Sequence, residues 1–348
     1  MSVQGQLRVE ALVWDPGKFG FVQHSILLGY IQSGMQFRLS RMEQHKIQSK
    51  IMRGAWQILA SADLAGNLSR DSIAFRMTLE DHIGDICRKA RLQTKTPMDE
   101  AASVAGLSEA QLHEWETEGV IDIDVDVAGL AVRVGLDVSK AEAIAGGWAP
   151  QPVVLSRWSE LRVVTTAEGF EVNSFMAWHP ATHIAAFFDT GWFADDLFQI
   201  ADENELKVDH LFITHMHGDH VAAMGDVRKR WPEIQVHTDN SGAPQKSRVN
   251  PGEPVAVGNL SVTARLTPGH AEDGVTFLID GWENDAPAVA VVGDAIFAGS
   301  MGKDFETPQL SQAKVQEEIL SLPPDTLICP GHGPLTTVGE EKAHNPFF

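Results

Sequence analysis

The run Thr214-His215-Met216-His217-Gly218-Asp219-His220 puts three imidazoles and a carboxylate into six consecutive residues. Nitrogen and carboxylate oxygen donors at that density suit zinc, iron or manganese, and the chemistry they would support is hydrolysis by an activated water. A catalytic metal needs three or four protein donors with a position left for water, so one short run must be completed from elsewhere. Three further candidates stand in turn-like settings: His270 in Thr267-Pro268-Gly269-His270, Asp294 in Val292-Gly293-Asp294, and His332 in Cys329-Pro330-Gly331-His332-Gly333. No other nucleophile competes. Ser300 lies in a Gly-Ser-Met-Gly turn without the G-x-S-x-G context of a hydrolase elbow, and Cys329 reads as a small apolar residue packed beside the site.

These residues need strands to carry them. Val208 to Thr214, with Leu211, Phe212 and Ile213, reads as a buried strand whose C-terminal turn holds the cluster, the place where α/β folds keep their sites. Each of the other candidates follows or ends a similar apolar run. Strands are expected over 153–155, 162–165, 171–178 and 184–189, then near Gln235, Leu260, Val275 and Val289 and before Cys329. Helices are expected near 194–206, after Asp219 and over 309–322. Strand runs flanked by helices on both sides imply an α/β fold of two sheets covered by helices.

In order and context the seven residues resemble the metallo-β-lactamase fold hydrolases, whose H-x-H-x-D-H motif is followed by a distal His, a bridging Asp and a last His. The likeness spans roughly residues 153–348 and includes the Phe188-Asp189-Thr190-Gly191 turn. It implies an αββα sandwich and two divalent metal ions, zinc first, with iron or manganese as alternatives. His215, His217 and His270 would bind the first, Asp219, His220 and His332 the second, and Asp294 would bridge them. A metal-bridging hydroxide would be the nucleophile, with Asp219 as the catalytic carboxylate that orients it.

Gly293-Asp294-Ala295-Ile296-Phe297, Gly299, Gly302-Lys303 and Phe305, with Pro330 to Pro334, resemble the glyoxalase II branch, which hydrolyses thioesters of glutathione. That resemblance implies a small-molecule hydroxyacyl-thioester substrate whose thiol part is contacted by Lys303 and Phe305. The branch carries a basic helical region after its last His, whereas this sequence ends at Phe348, so a smaller or looser thioester pocket is expected. A second reading is an iron-dependent persulfide dioxygenase of the same fold, using His215, His270 and Asp294. The completeness of Asp219, His220 and His332 favours hydrolysis.

The 348 residues are 43% hydrophobic, enough for a large domain and a smaller one. Only Cys87 and Cys329 are present, which fits a reducing compartment rather than a disulfide framework. No run is long and apolar enough to span a membrane and no signal peptide is evident, so a cytoplasmic enzyme without a membrane partner is expected. The net charge of −20 is uneven: residues 1–76 carry nine Lys+Arg against five Asp+Glu, while the rest is strongly acidic. Residues 1–76 also lack clear periodicity, so they are expected to be either an extension or translation from upstream of Met77.

Residues 77–150 form a helical unit by periodicity, with Ile83, Ile86 and Ala90, then Ala101, Val104 and Ala105, then Leu112 and Trp115 on common faces. Over 78–119 the order of residues resembles a Cro/repressor helix-turn-helix domain, with Ser108 capping the reading helix. The charge argues against DNA: that stretch has nine acidic and four basic residues, and such a face repels phosphate. Packing, homo-oligomerisation, a protein partner, or a metal-sensing regulatory role are the alternatives for it. Residues 146–152 read as a linker, with the metal domain over 151–348.

Overall fold

The computed structural model describes residues 78–348, which belong to one compact unit. The expected extension over 1–76 lies outside the described residues.

Five short helices come first: α1 (Ile83–Gln93), α2 (Met98–Ala105), α3 (Glu109–Glu118), α4 (Val127–Val134) and α5 (Val138–Ala145). Local sequence sets their ends. The Ser108 hydroxyl accepts from Gln111 N while the Gln111 side chain accepts from Ser108 N, a capping box that starts α3 as expected. Gly106, Gly119 and Gly135 close α2, α3 and α4 in the left-handed conformation. Ile86, Ala90, Ala101, Leu112, Trp115, Leu130, Val134 and Ile144 make one apolar core, and it extends to Met301 and Phe347. The bundle and the C-terminal region therefore share a core.

Charge is distributed differently from the linear sequence. Glu116 is fully buried in a bidentate pair with Arg91, at 2.6 and 2.7 Å, and Lys89 is buried against Asp81. Removing these two pairs still leaves seven acidic and two basic residues over 78–119.

The remaining chain builds two sheets. The first has the order β1 (Leu161–Ala167), β2 (Glu171–Trp178), β3 (Ile184–Phe188), β4 (Lys207–Phe212), β5 (Gln235–His237). The second runs β13 (Thr336–Thr337), β12 (Leu327–Pro330), β9 (Val289–Gly293), β8 (Val275–Asp280), β7 (Leu260–Leu266), β6 (Pro254–Val257). A small hairpin, β10 (Ile296–Phe297) with β11 (Ser300–Met301), follows β9. Alternation along the strands sorts side chains into layers. In β3, Ala186 and Phe188 face the second sheet while Ala185 and Phe187 face helices. In β9, Val289 and Val291 face inward while Ala290 and Val292 face outward.

Between the sheets Phe212 stacks on Phe188 and meets Phe277 of the opposite sheet, both at 5.0 Å. Truncating such a ring costs about 3–5 kcal/mol. Outside the first sheet lie α6 (Asp195–Glu203) and α8 (Met224–Arg230), preceded by the single turn α7 (Gly218–Val221). Outside the second lie α9 (Pro308–Lys314), continued by a wider π turn over Val315–Ile319, and α10 (Val338–His344). This is the mixed α/β sandwich expected for the C-terminal region.

The differences are local. No strand forms over 153–155: Val154 is exposed, and a 3-10 turn begins at Leu155. The helix expected over 309–322 changes pitch at Val315. The edge strands β6 and β13 and the hairpin were too short to carry a period-two signal.

Candidate metal centre

The ligand candidates occupy the loops at one edge of the sandwich. His215 to His220 follow β4 and run into α7, His270 follows β7, Asp294 follows β9, and His332 follows β12. Parallel pairing of β3 with β4 and of β12 with β9 aligns the carboxyl ends of these strands. All seven residues come together. His215, His217 and His270 form one trio and Asp219, His220 and His332 another, each with its donor atoms within 4.8 Å of one another.

Asp294 lies between them. Its Oδ2 is 3.3 Å from His270 Nε2 and 3.4 Å from His332 Nε2, and its Oδ1 is 3.3 Å from His220 Nε2. One carboxylate thus reaches rings of both trios, as the bridging role requires. Asp219 Oδ2 lies 3.2 Å from His332 Nε2 and 3.5 Å from His220 Nε2.

Partners behind the rings decide which nitrogen faces inward. His220 Nδ1 donates to Asp189 Oδ2 at 2.7 Å, His270 Nδ1 to the Lys303 carbonyl at 3.1 Å, and His332 Nδ1 to the Glu171 carbonyl at 2.5 Å. Thr214 Oγ1 gives its one proton to Asp189 at 2.7 Å, so at 3.1 Å from His215 Nδ1 it can only accept from that ring. All four rings then turn an unprotonated Nε2 to the centre when neutral. His217 presents Nδ1 instead, 3.1 Å from His215 Nε2 and 2.9 Å from His270 Nε2.

Such a set fits cations. Burial, then the neighbouring His220 cation, pushes His215 down to about 2, so its ring is a neutral donor. Burial opposes the charged forms of His220 and His332, but carboxylates outweigh it. The Asp189 carboxylate foremost lifts His220 to about 10, and Asp219 and Asp294 lift His332 to about 11. Burial likewise opposes the Asp294 anion, yet the His220 and His332 rings beside it hold it well below the usual carboxylate range. Buried His220 Nε2 and Asp294 Oδ1 lack a hydrogen-bond partner, which is what ligand atoms facing a metal position look like. With only nitrogen and oxygen donors and no thiolate, the set suits zinc, iron or manganese.

Three features escaped the sequence reading. Asp189 is one: though expected as part of a turn, it is buried at φ 58°, in the left-handed region, and holds both His220 and Thr214. Asn173 on β2 donates to the carbonyls of Pro330 and Gly333 at 3.1 and 3.0 Å and clamps the loop that carries His332. The third is a cluster of aromatics: Phe170 meets Trp192 at 5.3 Å and His332 at 5.8 Å. Only proximity in space identifies any of these. Lys303 lends its backbone to His270, and its side chain and Phe305 are exposed. Cys329 is fully buried in the inter-sheet core, and burial pushes its thiol well up, so it packs as expected.

Residues 168–332 match the family model of the Metallo-beta-lactamase superfamily. That match covers 165 of the 348 residues, all of them in the C-terminal region. Among similar proteins, hydroxyacylglutathione hydrolase of Xanthomonas euvesicatoria is 26% identical over 165 residues, 47% of this chain and 62% of that protein. Human mitochondrial persulfide dioxygenase ETHE1 is 32% identical over 156 residues, 42% of this chain and 59% of that protein. Hydroxyacylglutathione hydrolase GloC of Haemophilus influenzae is 27% identical over 207 residues, 51% of this chain and 93% of that protein. The chain thus spans about three fifths of the first two relatives. A crystal structure of ETHE1 from Myxococcus xanthus is 28% identical, with a TM-score of 0.48 over 53% of this chain and 83% of that one. The family match begins after the helical bundle, whose likeness to a repressor-type domain stays an expectation. No helix among the described residues is long and apolar enough to cross a membrane.

Proposed function

We propose that this protein is a metal-dependent thioester hydrolase acting on a small hydroxyacyl-thiol. The observation that carries the reading is the complete second trio, Asp219, His220 and His332, joined to the first through Asp294. His215, His217 and His270 would hold one divalent cation, the second trio the other, and Asp294 would bridge. When bound, the pair supplies acidity to a shared water and polarises the thioester carbonyl.

The chain's own residues do the rest. Asp219, half-buried and held below the usual carboxylate range by its histidine neighbours, is an anion at neutral pH; it accepts a hydrogen bond from the attacking water and orients it. Water adds to the carbonyl and the C–S bond breaks, so the thiol leaves with a proton and the acid remains. Lys303 offers a cation at the rim for a carboxylate of the thiol part. Phe170 and Trp192 wall the side next to His332, and Phe305 offers an apolar surface to the thiol part.

The second reading, an iron-dependent persulfide dioxygenase, is favoured by the 32% identity to ETHE1 and by the presence of His215, His270 and Asp294. One experiment separates the two. Full-length protein loaded with zinc is assayed for hydrolysis of S-lactoylglutathione, and iron-loaded protein for oxygen uptake with glutathione persulfide, each against Asp294→Ala. Zinc-dependent turnover lost in the variant supports hydrolysis. Oxygen uptake without thioester turnover overturns it.

A further inference from the structure

A buried lysine is costly unless it is paired, and apolar packing often serves stability as well. Lys89 on α1 is 2% exposed. It ion-pairs with Asp81, donates to the Met301 carbonyl at 2.8 Å and lies 5.2 Å from the centroid of the Phe297 ring. Asp81 precedes the bundle, whereas Met301 and Phe297 belong to the β10–β11 hairpin, in which Ile296 pairs with Met301 and Phe297 with Ser300.

That hairpin reaches a ligand of each trio. Beyond Met301, Gly302 packs so closely that a Cβ there would collide with the Asp294 carbonyl and stand 2.9 Å from His270 Cβ. The next carbonyl, that of Lys303, receives His270 Nδ1 at 3.1 Å. On the other strand the Phe297 ring packs edge-on against His332, centroids 5.8 Å apart. A single ammonium from the helical bundle therefore grips the segment that orients one histidine by a hydrogen bond and abuts another by ring packing.

We propose that Lys89 is a positioning residue of the metal centre: it holds the 296–303 hairpin in the register that sets the rings of His270 and His332. The helical bundle then serves the site directly, as the element that carries this lysine. The inference rests on these histidines being metal ligands and is independent of which substrate is cleaved.

The test uses the full chain and two paired substitutions. Asp81→Asn with Lys89→Met removes both charges at similar volume, so no lone buried charge is left. Arg91→Met with Glu116→Gln does the same to a buried pair whose partners both lie in the bundle. Zinc affinity is read by competition with a chromophoric chelator, and ligand geometry by the absorption spectrum of the cobalt-substituted protein. The first double variant is expected to bind zinc 10- to 100-fold more weakly, the range for lost support of a ligand, with an altered cobalt spectrum. The second is expected to match the parent in both.

Parent-like affinity and spectrum in the first variant overturn the proposal. So does an equal loss in both variants, since that is an effect of bundle stability. If the first variant does not fold, Lys89→Arg keeps the charge while lengthening the reach, and an unaltered cobalt spectrum there overturns the proposal. A parent protein that binds no zinc removes the metal-centre reading itself, and this inference with it.

Discussion

Asp189 Oδ2 accepts from His220 Nδ1 at 2.7 Å, with both side chains sealed from solvent. The same carboxylate takes Thr214 N on Oδ1 at 2.8 Å and the Thr214 hydroxyl on Oδ2 at 2.7 Å. Three donors on two oxygens leave no place for an N–H. Asp189→Asn must therefore set its amide nitrogen against the Thr214 amide or against the hydroxyl and ring donors. An unmet buried donor costs about 1–3 kcal/mol, and a ligand without its orienting partner loses about 10- to 100-fold in metal affinity. Zinc titration calorimetry with this variant should show the weakening, and parent-like affinity would count against an orienting role for Asp189.

Gly331 gives a sharper test of how close the two halves of the site come. A Cβ there would collide with Asp294 Oδ1 and stand 2.6 Å from His220 Cε1. Both neighbours are buried and fixed, so neither can yield cheaply. Gly331→Ala should fold, because the backbone there needs no special φ, yet should lose stoichiometric metal binding and at least about tenfold in metal affinity. Metal content after gel filtration is the measurement.

How much of this was legible beforehand follows from what kind of signal each part leaves. The clustering side chains were readable because histidine and aspartate at fixed short spacing are rare by chance, and the strands under them because their burial on both faces gives dense apolar runs such as Leu211-Phe212-Ile213. The hairpin of β10 and β11 leaves two residues per strand, too few for any period. Asn173 was unreadable for another reason. It acts across 157 and 160 residues of chain on the carbonyls of Pro330 and Gly333, and an isolated asparagine in a strand announces nothing. The same holds for Glu116 and Lys89, whose charges suggest a surface but are spent inside.

Asn173 makes four polar contacts: its amide nitrogen donates to Pro330 and Gly333, its oxygen accepts from Thr165 Oγ1 at 2.7 Å, and its backbone N donates to Gly331 at 2.7 Å. Asn173→Leu keeps the volume and the backbone bond but strands two carbonyls and a hydroxyl. Loss of about 2–4 kcal/mol is expected from those groups, read as a lower midpoint in urea. The His332 loop should also loosen, so the second metal should leave first on dialysis against chelator. Simultaneous loss of both metals would argue that Asn173 supports the fold alone.

The proton inventory gives the last prediction. In the metal-free folded protein His220 and His332 hold protons up to about 10 and about 11, whereas in the unfolded chain they titrate near 6.5. The folded state thus binds more protons than the unfolded one across that window. Stability from these two groups is fully present below about 6.5 and is lost as pH rises towards 10 and 11. His215 and His237 act oppositely. Burial holds their folded values down at about 2 and about 4, so the unfolded chain takes up protons first and stability falls as pH drops below about 6.5. Metal-free protein should therefore be most stable near pH 6 to 7 in urea titrations. Metal must displace the two protons on His220 and His332, so zinc binding at pH 8 should release about two protons, measured by calorimetry in buffers of different ionisation enthalpy. His220→Gln should release one fewer. Zinc binding without proton release at pH 8 would mean that these rings are neutral before the metal arrives, and the apo-protein stability should then be flat from pH 7 to 9.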